Sequence, residues 1–415
     1  MTVPRQQVPL ANAVDVLIDY RGKTPPKSTC GVWLVTAKVI KDGSLDGGER
    51  EYITEETYSR WMTRGFPEPG DVLLTTEAPL GEVAMVPAGA PIALAQRVIL
   101  LRAKRGTVDP QYLFAALRSP LMQARLRERA TGTTVLGIKQ AELRRVLLPL
   151  PSLVSQRKIG SILSAYDDLI ANIRKRIIAL GETAQRIYRE WFVDFRYPGH
   201  EAVLLVDSEL GPIPEGWRTG VLGDLVQETR DAITAGPSTE GRPYVPIDAI
   251  SPRCLTLRDW RSGQEAASSL LTFQRSDFLF GAMRPYFHKV AIAPWEGTTR
   301  STCFVLRTRS DDTWAIAALS LFDDRTIDFA TAHSSGTTIP YARWRGGLAN
   351  MPIVMPPSAL AEQFQTVSEP MLRALQDSGS MLANLRAARD LLLPRLVSGE
   401  IDVEDLDIRA GEAVA

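Results

Sequence analysis

Apolar residues recur in alternating steps of four and three along two long stretches of the chain. The first seam contains Ile159, Leu163, Tyr166, Ile170, Ile173, Ile177, Leu180, Ala184, Ile187 and Trp191. The second seam contains Phe364, Val367, Met371, Ala374, Ser378, Met381, Leu385, Ala388 and Leu392, and it ends near Pro394. This alternation is typical of coiled-coil heptads. We predict two long helices, each roughly 45 to 50 Å long at about 1.5 Å per residue.

The regions before the two seams contain an internal repeat with an offset of about 206 residues. Three blocks recur in the same order and with similar spacing. The matched blocks are Gly70–Leu74 with Ser276–Phe280, Thr131–Val135 with Ser335–Ile339, and Leu148–Pro151 plus Gln156 with Met355–Ser358 plus Gln363. Each block is weak alone, but three blocks in order indicate one structural unit that is used twice.

Each repeat begins with about 140 residues of mixed character, in which short apolar runs are bounded by glycine, proline and charge. The runs 32–35, 98–101 and 303–306 are predicted strands, and a short helical segment is predicted over 110–128.

A long helix alone would leave its narrow apolar seam uncovered. Because both helices occupy equivalent repeat positions, we predict that they pair within the chain, and a pseudo-two-fold relation of the halves requires them to run antiparallel. The predicted fold class is α+β: two globular mixed α/β domains separated by a long antiparallel two-helix coiled coil. The predicted domains are 1–150, 151–196 (central helical region), 197–355, and 356–415 (distal helical region and acidic tail).

Charge and cysteine content narrow the class of protein. Lys plus Arg equals Asp plus Glu at 48 each, so the chain lacks the basic excess of a stand-alone nucleic-acid binder. Acidity is concentrated at the end, since residues 353–415 carry 5 basic and 10 acidic side chains. The three cysteines are far apart, which argues against a disulfide framework or a zinc site. With no signal peptide or membrane span evident, we expect a cytoplasmic protein without a membrane partner.

Four motifs flank the helices: the proline-led entry at 148–168, Trp191–Phe195 at the first helix end, Gly211–Trp217, and Leu393–Ile401 after the second helix. With the alternating architecture, they make nearly the whole chain resemble the specificity subunits of Type I restriction-modification enzymes, which alternate two target-recognition domains with two helical regions. Two departures are mild: Phe364 follows Gln363 where the family more often has arginine, and residues 201–352 carry 15 basic against 18 acidic side chains.

The resemblance implies a non-catalytic DNA-binding subunit that carries no cofactor of its own. Its implied partners are double-stranded DNA, two methyltransferase subunits with S-adenosylmethionine, and two restriction subunits with ATP and Mg. The sequence agrees in lacking a phosphate-binding loop, a dinucleotide-binding glycine motif and an adenine-methylation motif. Two domains held apart by a stiff rod would read two short half-sites at a fixed spacing. Because the domains differ in sequence, we expect a bipartite, asymmetric target.

Candidate DNA-binding residues lie in polar or glycine-rich loops, where cations, hydroxyls and aromatic rings can meet phosphates and base edges. In the first domain they are Tyr20, Arg21, Lys23, Lys27, Lys38, Lys41, Thr133 and Thr134. In the second domain they are Arg284, Tyr286, His288, Lys289, Thr337 and Thr338. Each group has an alternative without DNA contact. The basic loop is then a solvated surface loop, the 283–289 segment is a packed strand edge, and the two Gly-Thr-Thr loops are tight turns.

Trp191, Phe192 and Phe195 are candidate partner-binding residues, and core packing is the alternative. No catalytic or metal-binding residue is predicted, because the three histidines are scattered. Two rival functions stay open: a coiled-coil scaffold whose globular domains bind proteins, and an enzyme with a site between the domains.

Overall fold

The structure is a computed structural model that describes residues 5–20, 24–267, 269–336 and 338–407. The chain forms two units: unit 1 contains residues 1–168 and 387–415, and unit 2 contains residues 169–386. The predictions for Arg21, Lys23 and Thr337 lie outside the described residues.

The elements of the first half of the chain are β1 (Gln6–Pro9), α1 (Leu10–Ala13), β2 (Val14–Asp19), β3 (Val32–Val35), β4 (Glu51–Ile53), α2 (Glu55–Trp61), β5 (Val72–Thr76), β6 (Leu80–Met85), β7 (Ile92–Leu94), β8 (Val98–Ala103), α3 (Pro110–Arg118), α4 (Pro120–Glu128), α5 (Gln140–Arg144), β9 (Leu147–Leu150) and α6 (Leu153–Phe192). The second half contains β10 (Leu205–Val206), β11 (Ile213–Pro214), β12 (Arg218–Val221), α7 (Leu222–Leu225), β13 (Val226–Thr229), β14 (Ala232–Thr234), α8 (Pro237–Glu240), β15 (Ser269–Phe273), β16 (Phe278–Gly281), β17 (Val290–Ile292), β18 (Gly297–Thr299), β19 (Cys303–Thr308), α9 (Trp314–Phe322), α10 (Asp324–Ala332), β20 (Pro352–Met355) and α11 (Ser358–Ser398).

Unit 1 contains a four-stranded antiparallel sheet in the order β2-β8-β5-β6. A three-stranded sheet, β4-β3-β7, and the pair β1-β9 complete its strands among the described residues. The predicted helical segment 110–128 is two helices, because Ser119 precedes Pro120 and takes an extended conformation in which its Oγ accepts a hydrogen bond from Met122 N at 3.3 Å.

Unit 2 repeats this plan. Its four-stranded sheet has the order β13-β19-β16-β17, which matches β2-β8-β5-β6 strand for strand, and β12-β20 matches β1-β9. The three-stranded sheets differ, since β3 pairs with β7 in parallel while β15 pairs with β18 antiparallel. The predicted internal repeat and the predicted strands at 32–35, 98–101 and 303–306 are therefore confirmed.

The first repeated block, 70–74 in unit 1 and 276–280 in unit 2, contains an aspartate that forms an ion pair with an arginine in each unit. Arg102 places Nε and Nη2 at 2.8 Å from the two carboxylate oxygens of Asp71, which is 3% exposed. Arg307 repeats the contact with Asp277 at 2.7 and 2.8 Å. Each carboxylate also accepts a backbone N–H from three residues earlier, and each raises the pKa of its arginine by hydrogen bonding. The pair joins the start of the β5 or β16 strand to its neighbour in the sheet.

The seam predicted for α6 is confirmed, because all ten of its residues are buried or half-buried. In unit 2, Ile170, Ile173 and Ile177 pack with Leu382 of α11. In unit 1, Asp167 accepts a hydrogen bond from Arg389 Nη1 at 3.0 Å. Within each unit, later residues of one helix meet earlier residues of the other, so the two helices run antiparallel as predicted.

The seam predicted for α11 is wrong at two of its nine positions, Val367 and Met381, while the other seven residues are buried or half-buried. Val367 and Met381 are 45% and 51% exposed, whereas their neighbours Ser368 and Leu382 are fully buried. The reason is that the globular part of unit 2 also covers this helix. A Cβ added at Gly379 would lie 2.6 Å from the carbonyl oxygen of Leu257, so small and polar positions of α11 are buried there.

Two further expectations for α11 are corrected. The apolar seam is predicted to end near Pro394, but α11 continues to Ser398 with Leu393 and Leu396 buried in the core of unit 1. In unit 1, the side chain of Gln156 accepts a hydrogen bond from Asp109 N at 2.9 Å. In unit 2 the equivalent hydrogen bond is made by Gln365, not by Gln363, which the repeat aligns with Gln156. Gln365 accepts from Ala315 N at 2.9 Å. No helix in the described part of the chain has the length and apolar character to cross a membrane.

Candidate nucleic-acid interface

Two loops lie side by side in unit 1. The turn loop, residues 76–80, joins β5 to β6, and the threonine loop, residues 131–137, joins α4 to the segment before α5. The threonine loop closes on itself through Thr131 N to Gly137 O at 2.8 Å and Gly137 N to Thr131 O at 2.9 Å. Ile138 N then donates to Thr76 O at 3.0 Å, which fixes the threonine loop against the turn loop.

Unit 2 has the same two loops, the turn loop at 282–289 and the threonine loop at 335–341. Ser335 and Tyr341 exchange two backbone hydrogen bonds at 2.9 and 2.8 Å, and Arg284 N donates to Pro340 O at 2.8 Å. Ala78 and Arg284 occupy equivalent left-handed positions, with φ of 50° and 53°, immediately before a proline. Non-glycine residues adopt this conformation at a cost of about 1–2 kcal/mol, so the surrounding bonds must hold it.

The threonine loop requires its glycine in both units. Gly132 and Gly336 have φ of 119° and 97°. A Cβ at Gly132 would lie 2.2 Å from the carbonyl oxygen of Val135, and one at Gly336 would lie 2.7 Å from that of Ile339. The repeated glycine of the Gly-Thr-Thr pattern therefore has a backbone cause, namely a tight loop that closes around it.

We call the two loops with the arginine-bearing segments next to them the tip face of each unit. In unit 2 the neighbouring segments are 300–303 and 342–350. The Tyr341 hydroxyl donates a hydrogen bond to Ser301 O, which joins the first of them to the threonine loop. The segments 282–288, 300–303 and 334–350 contain no aspartate or glutamate. Their arginines are Arg284, Arg300, Arg343 and Arg345. Unit 2 is slightly acidic elsewhere, so tertiary folding concentrates positive charge at this face.

The tip face of unit 1 is basic in a different way. Arg129 and Arg145 both bind Glu142, at 3.0 and 2.9 Å, which leaves one positive charge in excess. Glu77 of the turn loop pairs with Arg97 at 2.7 Å. Residues 125–145 as a whole carry six basic and two acidic side chains. Phosphate groups of nucleic acid bind such surfaces through charge and hydrogen bonding.

The structure brings several predicted residues to the tip faces. Thr133 and Thr134 are exposed on the threonine loop of unit 1, and Thr338 is exposed on that of unit 2. Tyr286 is 49% exposed on the turn loop of unit 2, beside half-buried Arg284. These residues are positioned for contact with a ligand, and their role in DNA binding stays a prediction.

Tyr20 and His288 are corrected to core residues. Tyr20 is 4% exposed and stacks on Trp61, and its hydroxyl accepts a hydrogen bond from Arg64 N at 2.8 Å. His288 is 2% exposed and lies 4.5 Å, ring to ring, from Phe322. Burial and then the charge of Arg253 lower the pKa of His288 and keep its ring neutral. Its Nδ1 lies 3.2 Å from an Asp324 oxygen without the geometry of a hydrogen bond.

The predicted lysines are spread over different elements. Lys289 is half-buried, and its Nζ donates a hydrogen bond to Ile247 O at 2.7 Å, so it ties the end of the turn loop to the rest of unit 2. Lys27 is exposed and pairs with Glu51 at 2.9 Å. Lys38 and Lys41 are exposed in the segment after β3, and neither takes part in the loop bonds that define the tip face.

Trp191, Phe192 and Phe195 belong to the core of unit 2, which corrects their assignment to partner binding. Phe192 packs edge-on against Phe364 at 4.7 Å, and Trp191 lies 5.4 Å from the same ring. Phe195 packs on Trp217 at 5.4 Å. Trp191 and Phe192 are 9% and 5% exposed, so they anchor the end of α6 and present little surface to a partner.

Sequence reasoning missed the cations that flank the threonine loops. The missed residues are Arg97, Arg127, Arg129, Lys139, Arg144, Arg145, Arg300, Arg343 and Arg345. They come from three separate segments in unit 1 and two in unit 2, and only the backbone bonds between loops bring the segments of each unit to its tip face. Among the described residues, no group of three or more His, Cys, Asp or Glu side chains could hold a metal ion.

Comparisons with known proteins agree with this architecture. Residues 21–182 match the model of the Type I restriction modification DNA specificity domain. The chain is 28% identical over 383 residues to the MjaIX specificity subunit of Methanocaldococcus jannaschii, a match that covers 87% of this chain and 84% of that protein. It is 29% identical over 133 residues to the MjaVIII specificity subunit of the same organism, covering 32% of this chain and 30% of that protein.

The crystal structure of the Type I restriction-modification system S subunit from M. genitalium has the same fold. The superposition has a TM-score of 0.58 and covers 95% of this chain and 96% of the other, at 12% sequence identity. The repeated α/β units, the two antiparallel helices, the matched specificity domain and the similarity to the MjaIX specificity subunit together support membership of this chain in the family of Type I restriction-modification specificity subunits.

Proposed function

We propose that this chain reads a bipartite, asymmetric DNA target and positions methyltransferase and restriction subunits on it. The observation that carries the proposal is the presence of one tip face in each unit, built on the same backbone frame but with different side chains. Equivalent frames suit two half-sites of a duplex, and different side chains suit two different base sequences.

The positive charge at the tip faces fits contact with phosphates, since arginine offers several donors and a permanent charge. Hydroxyls at Thr133, Thr134 and Thr338 fit hydrogen bonding to phosphates or base edges. S-adenosylmethionine, ATP and Mg would then belong to two methyltransferase and two restriction subunits in a cytoplasmic assembly, and this chain would contribute recognition without catalysis.

The first experiment is to co-express the chain with the methyltransferase encoded next to it and to map adenine methylation across host DNA. The proposal expects methylation at a two-part asymmetric motif with a fixed gap, and loss of that methylation when this chain is deleted. Methylation that persists unchanged without this chain would contradict the proposal and favour a protein-binding scaffold.

A second experiment tests whether the helices set the gap. Seven residues are inserted after Asp168 in α6 and after Arg386 in α11, where each helix passes from one unit to the other. A heptad lengthens each helix by about 10 Å and preserves the seam, so the gap should grow by about three base pairs or methylation should stop. An insertion in α6 alone is the control, and it should abolish methylation. An unchanged gap in the double insertion would refute the role of the helices.

A third experiment tests the tip face of unit 2 through salt dependence. Arg343 and Arg345 are exposed, and replacing both with alanine should weaken binding to all sequences and reduce the slope of log affinity against log salt by about one to two. Arg275→Ala is the matched control, because Arg275 is exposed in the same unit and pairs with Asp377 at 2.7 Å away from the tip face. Equal slopes in both variants would place the DNA elsewhere.

A further inference from the structure

We infer that Tyr286 and Phe287 form an aromatic wedge that enters the DNA and unstacks one base step of the half-site read by unit 2. This inference rests on the proposed function. The two rings are neighbours in the chain, with centroids 4.8 Å apart and planes at 53°. Their side chains are 49% and 46% exposed, so two adjacent aromatic residues are presented to solvent on a face whose segments contain four arginines.

The backbone that carries the rings is held at both ends. Arg284 and His288 bracket them in left-handed conformations, with φ of 53° and 51°. Phe287 N donates to Arg284 O at 3.0 Å and His288 N donates to Pro285 O at 2.8 Å, so the residues between form a single tight turn. A projection that is ordered before binding loses little conformational freedom when it inserts into a ligand.

The turn is also anchored into the core of unit 2. His288 is buried against Phe322, and its carbonyl oxygen accepts a hydrogen bond from Arg253 N at 2.9 Å. On the other side, Arg284 N is bonded to Pro340 O of the threonine loop at 2.8 Å. These bonds fix the backbone of the turn, and both rings are exposed on it.

The surroundings select a nucleic acid over an apolar protein surface. The three segments that form the tip face contain four arginines and no acidic residue, and exposed Thr338 lies in the third of them. One carboxylate, that of Asp324 in α10, lies 3.2 Å from His288 Nδ1 in the turn loop, so the arginines outnumber the acidic groups at this face. Apolar side chains set among cations enter the stack of a duplex while the cations hold its phosphates, and the duplex kinks at the inserted step.

Unit 1 provides an internal comparison. Its equivalent turn loop contains Pro79, Leu80 and Gly81 where unit 2 has Pro285, Tyr286 and Phe287. Leu80 is half-buried and begins strand β6, so this loop presents no ring. The wedge should therefore act on one half-site, and the other half-site should keep normal stacking.

The test uses the full chain in complex with its methyltransferase and duplexes that carry the mapped motif. 2-Aminopurine is placed at successive positions of both half-sites, away from the methylated adenines, because methyltransferases extrude their target base. We expect a fluorescence increase at one step of one half-site. Tyr286→Ala with Phe287→Ala should abolish this increase and lower DNA affinity roughly tenfold or more.

Two further variants serve as controls, one that keeps the ring at position 286 and one that removes an exposed aromatic ring elsewhere. Tyr286→Phe keeps the ring and should retain the fluorescence increase. Phe66→Ala removes an aromatic side chain that is 52% exposed in unit 1, and it should leave both the signal and the affinity unchanged.

Three results would overturn the inference: no fluorescence increase in the wild-type complex, an increase that persists in the double alanine variant, or loss of methyltransferase association in that variant. The last result would assign the rings to a protein partner. Because methylation mapping precedes this test, a failure of the proposed function appears as the absence of any motif, whereas a failure of the wedge appears with the motif intact.

Discussion

Leu382 and Met381, neighbours on α11, show where the apolar seam predicted from the sequence differs from the seam that the folded chain buries. Leu382 is fully buried and packs with Ile170, Ile173 and Ile177 of α6, whereas Met381 is 51% exposed. The heptad pattern in the sequence selects Met381. Replacing each with alanine therefore measures which register the folded chain uses, and both changes have similar effects on helix propensity.

The expected magnitudes differ several-fold. Truncating a fully buried leucine costs about 2–5 kcal/mol, because apolar contact is lost and a cavity remains. For Leu382→Ala we expect about 3 kcal/mol, which corresponds to a fall in Tm of about 6–12 °C for a unit of this size. Met381→Ala changes an exposed position and should alter the free energy of unfolding by about 0.5 kcal/mol or less.

The assay is urea unfolding of the purified full chain, followed by circular dichroism, with the midpoint compared between the two variants and the wild type. Similar m values are required, so that a shift in midpoint reports stability. If Met381→Ala costs as much as Leu382→Ala, the packing of α11 described above is wrong and the sequence heptad is right.

Asp277→Ala leaves its arginine partner half-buried without a carboxylate and should lower the free energy of unfolding by about 2–3 kcal/mol in urea, whereas Asp377→Ala, which breaks an exposed pair, should cost less than about 1 kcal/mol. Equal losses would contradict the role of the buried pair. The pKa of His288 is lowered on folding, so its stabilising contribution is complete above the unfolded-state pKa of about 6.5 and is lost as the pH falls toward the folded-state value. His288→Gln should flatten the acid side of the stability profile below about pH 6.5, and an unaltered profile would mean that the ring is not kept neutral. Gly336→Ala should strain the threonine loop and weaken DNA binding in a mobility-shift assay, whereas Gly241→Ala, with φ of −84° and open space around it, should have little effect. Full binding by the Gly336 variant would exclude the loop from the interface.

Several features follow from the sequence because they depend on local periodicity or on repetition. The α6 seam from Ile159 to Trp191 is readable because that face is apolar throughout its length. The repeated Asp71 and Asp277 mark equivalent strand starts, and the repeated glycines Gly132 and Gly336 mark equivalent tight loops. Each of these signals lies within a few residues and needs no knowledge of distant contacts.

Other features were decided by tertiary structure. The apolar pattern of α11 predicts that Met381 is buried, but the structure buries Leu382 and Ser368 instead of Met381 and Val367. The reason is that both α6 and the globular part of unit 2 pack on α11. Among aromatic and basic candidates, Tyr20 and His288 look as accessible in sequence as Tyr286, yet the first two are buried and the third is exposed. Residue type does not reveal which side of a loop faces the core.

The tip faces are the clearest case of a site made by folding. A chain with no net charge acquires basic surfaces because backbone hydrogen bonds bring Arg284, the threonine loop and Arg343 together from positions about 60 residues apart. By itself the sequence determined the repeat, the helices and the class of protein. Only the tertiary structure decided which side chains meet at a common surface, because that depends on pairings between distant segments that no local pattern encodes.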